Sequence, residues 1–182
     1  MAKHLRKKFL VKYPTKPISR NKKPYKPRKK NLDVEKIFEE KEKYKKIYGL
    51  SERELKRYAR QAIITTEKPG AALLVKTETR LDNVIYRLGF AKNRKLARNY
   101  IRMGLVLVNE NVVDDTNYHV SQKDVIRSNI PISDNSQKQK SGYGSWLVRS
   151  NGIGNIIHIP SYNEVKRKDL NVDFIIDYYA VT

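Results

Sequence analysis

The sequence predicts an α+β protein in which a small module of two short helices and a hairpin sheet is inserted into a helical N-terminal domain or follows it. Apolar residues recur at helical spacing between residues 34 and 103. The spacing then changes to that of extended strands over 105–113, and a run without acidic residues precedes the helices. The predicted divisions are a disordered basic arm over 1–33, a helical domain over 34–79 plus about 145–182 with C-terminal strands, the module over 80–127 and a loop over 128–144.

Composition excludes several classes of protein. The chain has 182 residues, a formal net charge of +20 and no cysteine, which excludes disulfide frameworks, cysteine-ligated zinc and cysteine nucleophiles. The three histidines, His4, His119 and His158, lack metal-ligand spacing, so neither a metal nor another cofactor is expected. No window approaches the roughly 18 apolar residues that span a bilayer, and no membrane partner is expected.

The first 30 residues differ from the rest of the chain in charge. They hold 13 of the 39 Lys and Arg residues, four of the seven prolines and no acidic residue. A segment of this kind cannot bury enough apolar surface to fold alone. It is either a solvated tail or an arm that becomes ordered against phosphates, and the lack of acids favours the arm. A targeting presequence is disfavoured because such peptides are rich in Arg and Ser, whereas Ser19 is the only serine here.

The predicted elements follow from caps, breakers and spacing. Ser51-Glu-Arg-Glu54 is a capping-box pattern, Asn93 is a candidate N-cap, and Gly49, Gly89 and Gly104 end helices. Helices are expected at Val34–Tyr48, Ser51–Ile64, Ala71–Thr77, Arg80–Gly89 and Asn93–Met103. Extended segments are expected at Leu105–Val113 with a turn over 109–111, then at Asp124–Arg127, Trp146–Val148, Ile156–Ile159 and Phe174–Tyr179. Trp146 is assigned to the core.

The second module helix carries the most informative charge pattern. Its cations are Arg94, Arg98 and Arg102 at four-residue intervals with Lys92 and Lys95 beside them, and the preceding helix adds Arg80 and Arg87. No acid lies between residues 92 and 103, so these arginines are expected to repel one another unless an anion binds. Arginine binds phosphate through two N–H donors, which favours nucleic acid over a solvated face of ion pairs. A membrane surface is disfavoured because neither helix has a broad apolar face.

Three segments resemble the αL-like RNA-binding module of the small-subunit ribosomal protein uS4 family. They are Arg80-Leu-Asp-Asn-Val-Ile-Tyr-Arg-Leu-Gly-Phe-Ala91, Arg94-Lys-Leu-Ala-Arg98 and Gly104-Leu-Val-Leu-Val-Asn109. The resemblance continues into Tyr48-Gly-Leu-Ser-Glu-Arg53 with Tyr58, and into Phe174-Ile-Ile-Asp-Tyr-Tyr179, which is most similar to plastid members. This chain departs from the family at Glu110, where Gly is usual, although Asn109 and Asn111 tolerate positive φ. It also lacks the family's Gly-rich N-terminal stretch and the zinc-binding cysteines of some members.

The resemblance implies a non-enzymatic, structural protein of the small ribosomal subunit. It implies binding to the 5′ domain of the small-subunit rRNA, contacts with neighbouring ribosomal proteins, a place near the mRNA path, and support of subunit assembly and translational accuracy. Its candidate RNA-binding residues in the module are Arg80, Arg87, Lys92, Arg94, Lys95, Arg98, Arg102 and Asn109. Those in the arm are Lys7, Lys8, Lys22, Lys23, Arg28, Lys29 and Lys30.

Two other functions use the same kind of module. A pseudouridine synthase-like RNA-modifying enzyme would make Asp82 catalytic, but the 55 residues after 127 are too few for its separate catalytic domain. A carboxylate in the first turn of a helix is also stabilised by the helix dipole alone. A stand-alone RNA chaperone does not account for the helical N-terminal half.

The amino-acid composition also indicates the cellular compartment in which the protein acts. Lys, Asn and Ile, which have A/T-rich codons, supply 55 of the 182 residues. Together with the plastid-like ending, this favours a chloroplast ribosome in the stroma, while a mitochondrion and a bacterial cytoplasm stay open as alternatives.

Overall fold

The computed structural model describes residues 34–129 and 144–181, so the predictions for the arm over 1–33 and for most of the loop over 128–144 lie outside it. The elements in chain order are α1 (Val34–Tyr48), α2 (Glu52–Thr65), α3 (Pro69–Glu78), α4 (Leu81–Arg87), α5 (Arg94–Arg102), β1 (Val106–Val108), β2 (Asn111–Val112), β3 (Val125–Ser128), β4 (Leu147–Ser150), β5 (Ile153–Ile156), α6 (Tyr162–Val165) and α7 (Val172–Val181). Within 34–129 and 144–181, every helix is too short or too polar to cross a bilayer.

Helices α1, α2, α3, α6 and α7 form a helical layer around one apolar core. The capping box of α2 is confirmed, since Ser51 Oγ accepts from the Glu54 backbone N–H and Glu54 Oε2 accepts from that of Ser51. Helix α3 begins at Pro69, two residues before its predicted start, because proline is well suited to the first helical position. The largest contributors to this core are Tyr44, Tyr48, Tyr58, Leu55, Leu73, Leu74, Ile175 and Ile176.

Helices α4 and α5 pack on a five-stranded antiparallel sheet with strand order β2-β1-β3-β5-β4, and this second layer is called the module below. The mixed fold of helices and a small antiparallel sheet agrees with the prediction. In the two-residue turn between β1 and β2, Asn109 and Glu110 have φ of 50° and 65°. Asn111, which the sequence analysis noted as tolerating positive φ, does not lie in the turn but is paired in β2 opposite Val108.

The strand predicted over 174–179 is wrong, because this segment lies inside helix α7. Its β-branched and aromatic residues are typical of strands. Nevertheless Val172, Ile175, Ile176 and Tyr179 have the i, i+3, i+4, i+7 spacing of a helix, and all four are buried against α1, α2 and α3. Burial of this apolar stripe therefore outweighs the local propensity.

The other C-terminal strands also differ from the prediction. Strand β5 lies at Ile153–Ile156, upstream of the predicted 156–159, because buried Gly154 lets the Leu88 side chain pack against it. A Cβ atom at Gly154 would lie 2.3 Å from Leu88 Cδ1. Strands β4 and β5 also extend the module sheet instead of joining the helical layer, because β5 pairs with β3 and β4 pairs with β5. Trp146 is fully buried in the module core, as predicted.

Alanine substitution at Ile175 and Ile176 distinguishes the helix from a strand. Both side chains are completely buried in α7, so each substitution is expected to lower the free energy of unfolding by about 2–5 kcal/mol. A strand would place the two residues on opposite faces, and only one substitution would be costly. Urea unfolding measures both effects, with Val181→Ala, at an exposed position of α7, as the control.

Candidate nucleic-acid interface

Four of the arginines predicted to contact RNA lie where the module meets the helical layer. We call this region the interlayer cluster, and its cations are Arg80, Arg87, Arg94 and Arg98. Its acceptors are Glu54, Glu78, Asp82 and Asn83, with the rings of Tyr48 and Tyr58 beside them. The cluster is built from residues of α2, α3, α4 and α5 and from the residue before α4, so it joins both layers.

Asp82 is one centre of the interlayer cluster. Its two carboxylate oxygens accept from Arg80 Nε at 3.1 Å and Arg80 Nη2 at 3.2 Å, and one of them also accepts from Arg98 Nη1 at 3.1 Å. It lies in the first turn of α4, where it also accepts the Asn83 backbone N–H. Asp82 is only 1% exposed and Arg80 only 2%. A buried carboxylate of this kind requires compensating cations, which Arg80 and Arg98 supply.

Glu78 is the second centre. It is completely buried at the end of α3 and accepts from both Nε and Nη2 of Arg87, at 2.5 and 2.7 Å. The Tyr48 hydroxyl and the Asn83 amide donate to the same carboxylate. Burial would by itself raise the pKa of Glu78, but the Arg87 guanidinium and these donors outweigh it and lower that pKa. Glu78 is therefore a charged carboxylate inside the protein, with four donors around it.

Arg94 differs from the other three arginines because its partners are neutral. Its Nε donates to Asn83 Oδ1 at 2.7 Å, and its guanidinium lies 4.4 Å from the centre of the Tyr86 ring and 5.2 Å from that of Tyr48. Burial lowers the pKa of Arg94 from its ordinary value, although Glu78 acts in the opposite direction. The side chain is thus oriented by an amide and two rings, with its charge only partly compensated.

Gly49 makes room for Arg98. This glycine follows α1 with φ of +61°, and a Cβ atom there would lie 2.3 Å from Arg98 Nη1 and 2.5 Å from Nη2. The guanidinium occupies that space and donates to the Tyr48 carbonyl at 3.4 Å as well as to Asp82. The sequence indicated Gly49 only as a helix stop, whereas the structure shows that it also admits a side chain of the module.

The Asp82–Arg98 pair overturns the expectation that the arginines between residues 92 and 103 repel one another unless an anion binds, and Arg80 and Arg87 also have acidic partners. The acids are supplied by α3, α4 and α2, outside the 92–103 window in which none was found. Ion pairs within the fold, which the sequence analysis disfavoured, therefore compensate Arg80, Arg87 and Arg98. Both ends of the Asn109 amide also bond within the module, to the Asp124 carboxylate at 2.8 Å and the Val125 N–H at 3.0 Å.

Lys92, Lys95 and Arg102 are the predicted module cations that the structure places in solvent. Helix α5 begins after Asn93, whose side chain accepts the Leu96 N–H as predicted, and its apolar Ala97 and Ile101 are completely buried in the module core. The remaining face of the helix consequently presents its cations outward. The structure thus divides the predicted module site into an interior set and this exposed set.

Sequence reasoning missed a second exposed basic surface, on α2. Its cations are Arg53, Lys56, Arg57 and Arg60, all exposed. They have the same three- and four-residue spacing that marked α5. Glu52 and Glu54 at the start of this helix obscured the pattern, but Glu54 caps the helix and Glu52 pairs with Lys41 and Lys45 of α1. The three- and four-residue spacing of basic residues from residue 53 onward was the sequence signal that could have identified this surface.

Potential metal-ligating side chains do not form a cluster in residues 34–129 and 144–181. Those residues contain no group of three or more His, Cys, Asp or Glu side chains that could hold a metal ion. Asp82, the residue that a pseudouridine synthase-like function would require, is buried and bonded on both oxygens.

The chain matches the S4 domain family model over residues 79–126, which covers α4, α5, β1, β2 and the start of β3. The fold and the basic surface of α5 thus belong to an S4-domain protein.

Among its relatives, the small ribosomal subunit protein uS4 of Endomicrobium trichonymphae is 34% identical over 159 residues, which are 83% of this chain and 76% of that protein. That of Persephonella marina is 35% identical over 154 residues, 79% of this chain and 75% of the relative. That of Aquifex aeolicus is 36% identical over 152 residues, which are 78% of this chain and 72% of the relative. The chain belongs to the uS4 family of small ribosomal subunit proteins.

Substitution of Gly49 tests how α5 is held. Alanine there carries the penalty of positive φ, about 1–2 kcal/mol, and also displaces the Arg98 guanidinium from Asp82. We expect Gly49→Ala to lower the free energy of unfolding by at least about 1 kcal/mol more than Gly104→Ala. Gly104 is a matched control because its φ is +71° and its nearest neighbour, Val112 Cγ1, would lie 3.3 Å from the added Cβ.

Urea unfolding gives both values. In an Arg98→Gln background the excess cost at Gly49 should disappear, because no guanidinium then occupies the space. Equal costs for the two glycine substitutions in the unaltered background would show that Arg98 is not held there.

Proposed function

We propose that this protein is a structural component of the small ribosomal subunit that binds rRNA through the exposed cations of α5. One structural observation carries the proposal: Lys95 and Arg102 of α5, with Lys92 just before it, face solvent, whereas Arg98 of the same helix is paired with Asp82 inside the fold. Membership of the uS4 family and the S4 domain match support it. The match extends over 83% of the chain and includes the helical layer, so a stand-alone chaperone is not favoured.

The interlayer cluster and the exposed cations have different tasks in this proposal. Asp82 holds α5 against α4 through Arg98, and Glu78 of α3 holds α4 on the helical layer through Arg87. Lys92, Lys95 and Arg102 then neutralise RNA phosphates, and each neutralised phosphate releases counterions. The fixed positions of the cations favour RNA of matching shape, because the deep and narrow major groove of duplex RNA prevents side chains from reading its sequence.

Arg94 is assigned to the boundary between these two sets. Its Nε donates to Asn83, and its partly exposed guanidinium stacks on the ring of Tyr86. In the sequence, Arg94 lies beside the exposed residues Lys92 and Lys95. An RNA phosphate would complete the charge compensation that its neutral partners do not provide.

Finer aspects of the function rest on the resemblance of the sequence. We infer binding to the 5′ domain of the small-subunit rRNA, contacts with neighbouring ribosomal proteins, a place near the mRNA path and an effect on translational accuracy. The arm over 1–33, with its 13 Lys and Arg residues in the first 30, is proposed as a further rRNA contact. Chemical footprinting of 5′-domain RNA with the full chain and with a chain lacking the arm tests these assignments.

We further propose a chloroplast ribosome as the location. The abundance of Lys, Asn and Ile and the plastid-like ending of the sequence support this compartment over a mitochondrion or a bacterial cytoplasm. Mass spectrometry of ribosomes purified from each compartment of the source cells would detect the chain in only one of them.

Neutralising two cations of α5 tests the rRNA-binding proposal. The Lys95→Gln, Arg102→Gln double variant removes two phosphate contacts and leaves the interlayer cluster intact. The slope of log affinity against log salt for 5′-domain RNA should become shallower by about 1.4–1.8, and the affinity at physiological salt should fall at least tenfold. Filter binding over a salt series measures both quantities.

The matched control is Lys46→Gln with Lys168→Gln, which removes the same charge from exposed positions outside α5. It should change the slope much less. If both double variants lose affinity equally, the protein binds RNA by net charge, and the assignment to α5 is wrong.

A further inference from the structure

We propose that Arg57 of α2 and Lys76 of α3 form a second phosphate-binding site beside the ring of Tyr58. This inference extends the proposed rRNA binding to the helical layer, where the sequence suggested no site. Its ligand is a phosphate group, supplied in the ribosome by the RNA backbone.

Several cations converge on the buried ring of Tyr58. The Arg57 guanidinium lies 5.0 Å, the Lys76 ammonium 5.3 Å and the Arg80 guanidinium 6.0 Å from its centre. The ring of His119, from the module, packs edge-on at 5.8 Å. Residues from α2, α3 and the module therefore bring three positive charges to one aromatic side chain.

The cations around Tyr58 have different partners. Arg80 is paired with Asp82 and lies 3.6 Å from Glu54, so its charge is neutralised within the protein. The Lys76 ammonium donates to the neutral Gln61 Oε1. Arg57, on the exposed face of α2, lies against the ring of Tyr58.

Burial and the same positive charges lower the pKa values of two groups beside Tyr58. Burial lowers the pKa of Lys76, and the Arg57 charge lowers it further. Burial, together with the charges of Lys76, Arg80 and Arg57, lowers the pKa of His119 to about 4. His119 is therefore neutral near pH 7, and an anion that approaches Tyr58 meets Arg57 and Lys76 as its charged donors.

A phosphate fits this arrangement better than a carboxylate-bearing partner chain. Arginine can donate two parallel N–H bonds to phosphate and lysine supplies a compact positive charge, so together they can bind one group from two sides. Arg53, Lys56 and Arg60 continue the positive surface along α2. Such a continuous surface attracts a polyanion, as an RNA strand would be.

A site that holds like charges together reduces the stability of the free protein. Removing either charge relieves repulsion, so Arg57→Gln and Lys76→Gln are expected to leave the thermal midpoint unchanged or to raise it. A purely structural role in packing on Tyr58 predicts the opposite, a lowered midpoint. Opposing effects on stability and on binding are typical of functional sites.

The first experiment uses inorganic phosphate as the probe and needs no RNA. Thermal midpoints are measured in sodium phosphate and in sodium chloride of equal ionic strength. Phosphate should raise the midpoint of the unaltered chain and of the Lys46→Gln, Lys168→Gln control by the same amount, because it binds the folded state. The rise should be at least halved in Arg57→Gln, Lys76→Gln and the double variant. An equal rise in all proteins would overturn the proposed site.

The second experiment measures whether both residues bind the same RNA phosphate. Each single variant should weaken binding of 5′-domain RNA about tenfold, and the double variant little more than either, because both charges serve one contact. The salt slope should fall by about 0.7–0.9 in all three. Losses that multiply to about a hundredfold would contradict a shared phosphate, and unchanged RNA affinity would remove RNA as the ligand. Because the first experiment contains no RNA, its result does not depend on the proposed role of α5.

Discussion

Two buried carboxylates, Asp82 and Glu78, are the constraint on which the arrangement of this protein depends. Asp82 binds Arg80 and Arg98, while Glu78 binds Arg87, so they compensate three of the four arginines where the module meets the helical layer. A buried ion pair adds little stability compared with apolar packing, but loss of one partner costs about 3–5 kcal/mol. The pairs therefore act mainly on orientation: they fix which face of α5 is interior and which meets solvent.

Much of the local structure was predictable, because it is encoded over a few residues. The capping box at Ser51, the Asn93 cap and the glycine stops each act within one turn, and the predicted helices match the observed ones closely. The mixed arrangement of helices and a small antiparallel sheet was likewise predictable, because the spacing of apolar residues changes from helical to extended near residue 105. Helix α7 was missed because its strand-forming residues gain more from burial against three helices than from local preference.

The sequence could not show that the predicted site divides into an interior set and an exposed set, and the reason is different. An acid-free window from 92 to 103 is a true property of the chain, but the acids that pair with its arginines arrive from other elements in the fold. Gly49 and Arg98 are 49 residues apart, and no local pattern connects them. Charge spacing identifies which residues share a helix face, whereas only the tertiary structure shows what that face meets. The same limit concealed the convergence of Arg57 and Lys76 on Tyr58.

The most direct test compares two cations of the same helix, Arg98 and Lys95, in stability and in RNA affinity. Arg98→Gln should lower the free energy of unfolding by about 1–3 kcal/mol, since it leaves buried acceptors unsatisfied, while the folded variant binds 5′-domain RNA within about threefold of the unaltered chain. Lys95→Gln should preserve stability within about 0.5 kcal/mol and lower affinity several-fold at physiological salt. An Arg98→Gln variant that is fully stable but has lost RNA binding would contradict the division of α5 into an interior and an exposed set.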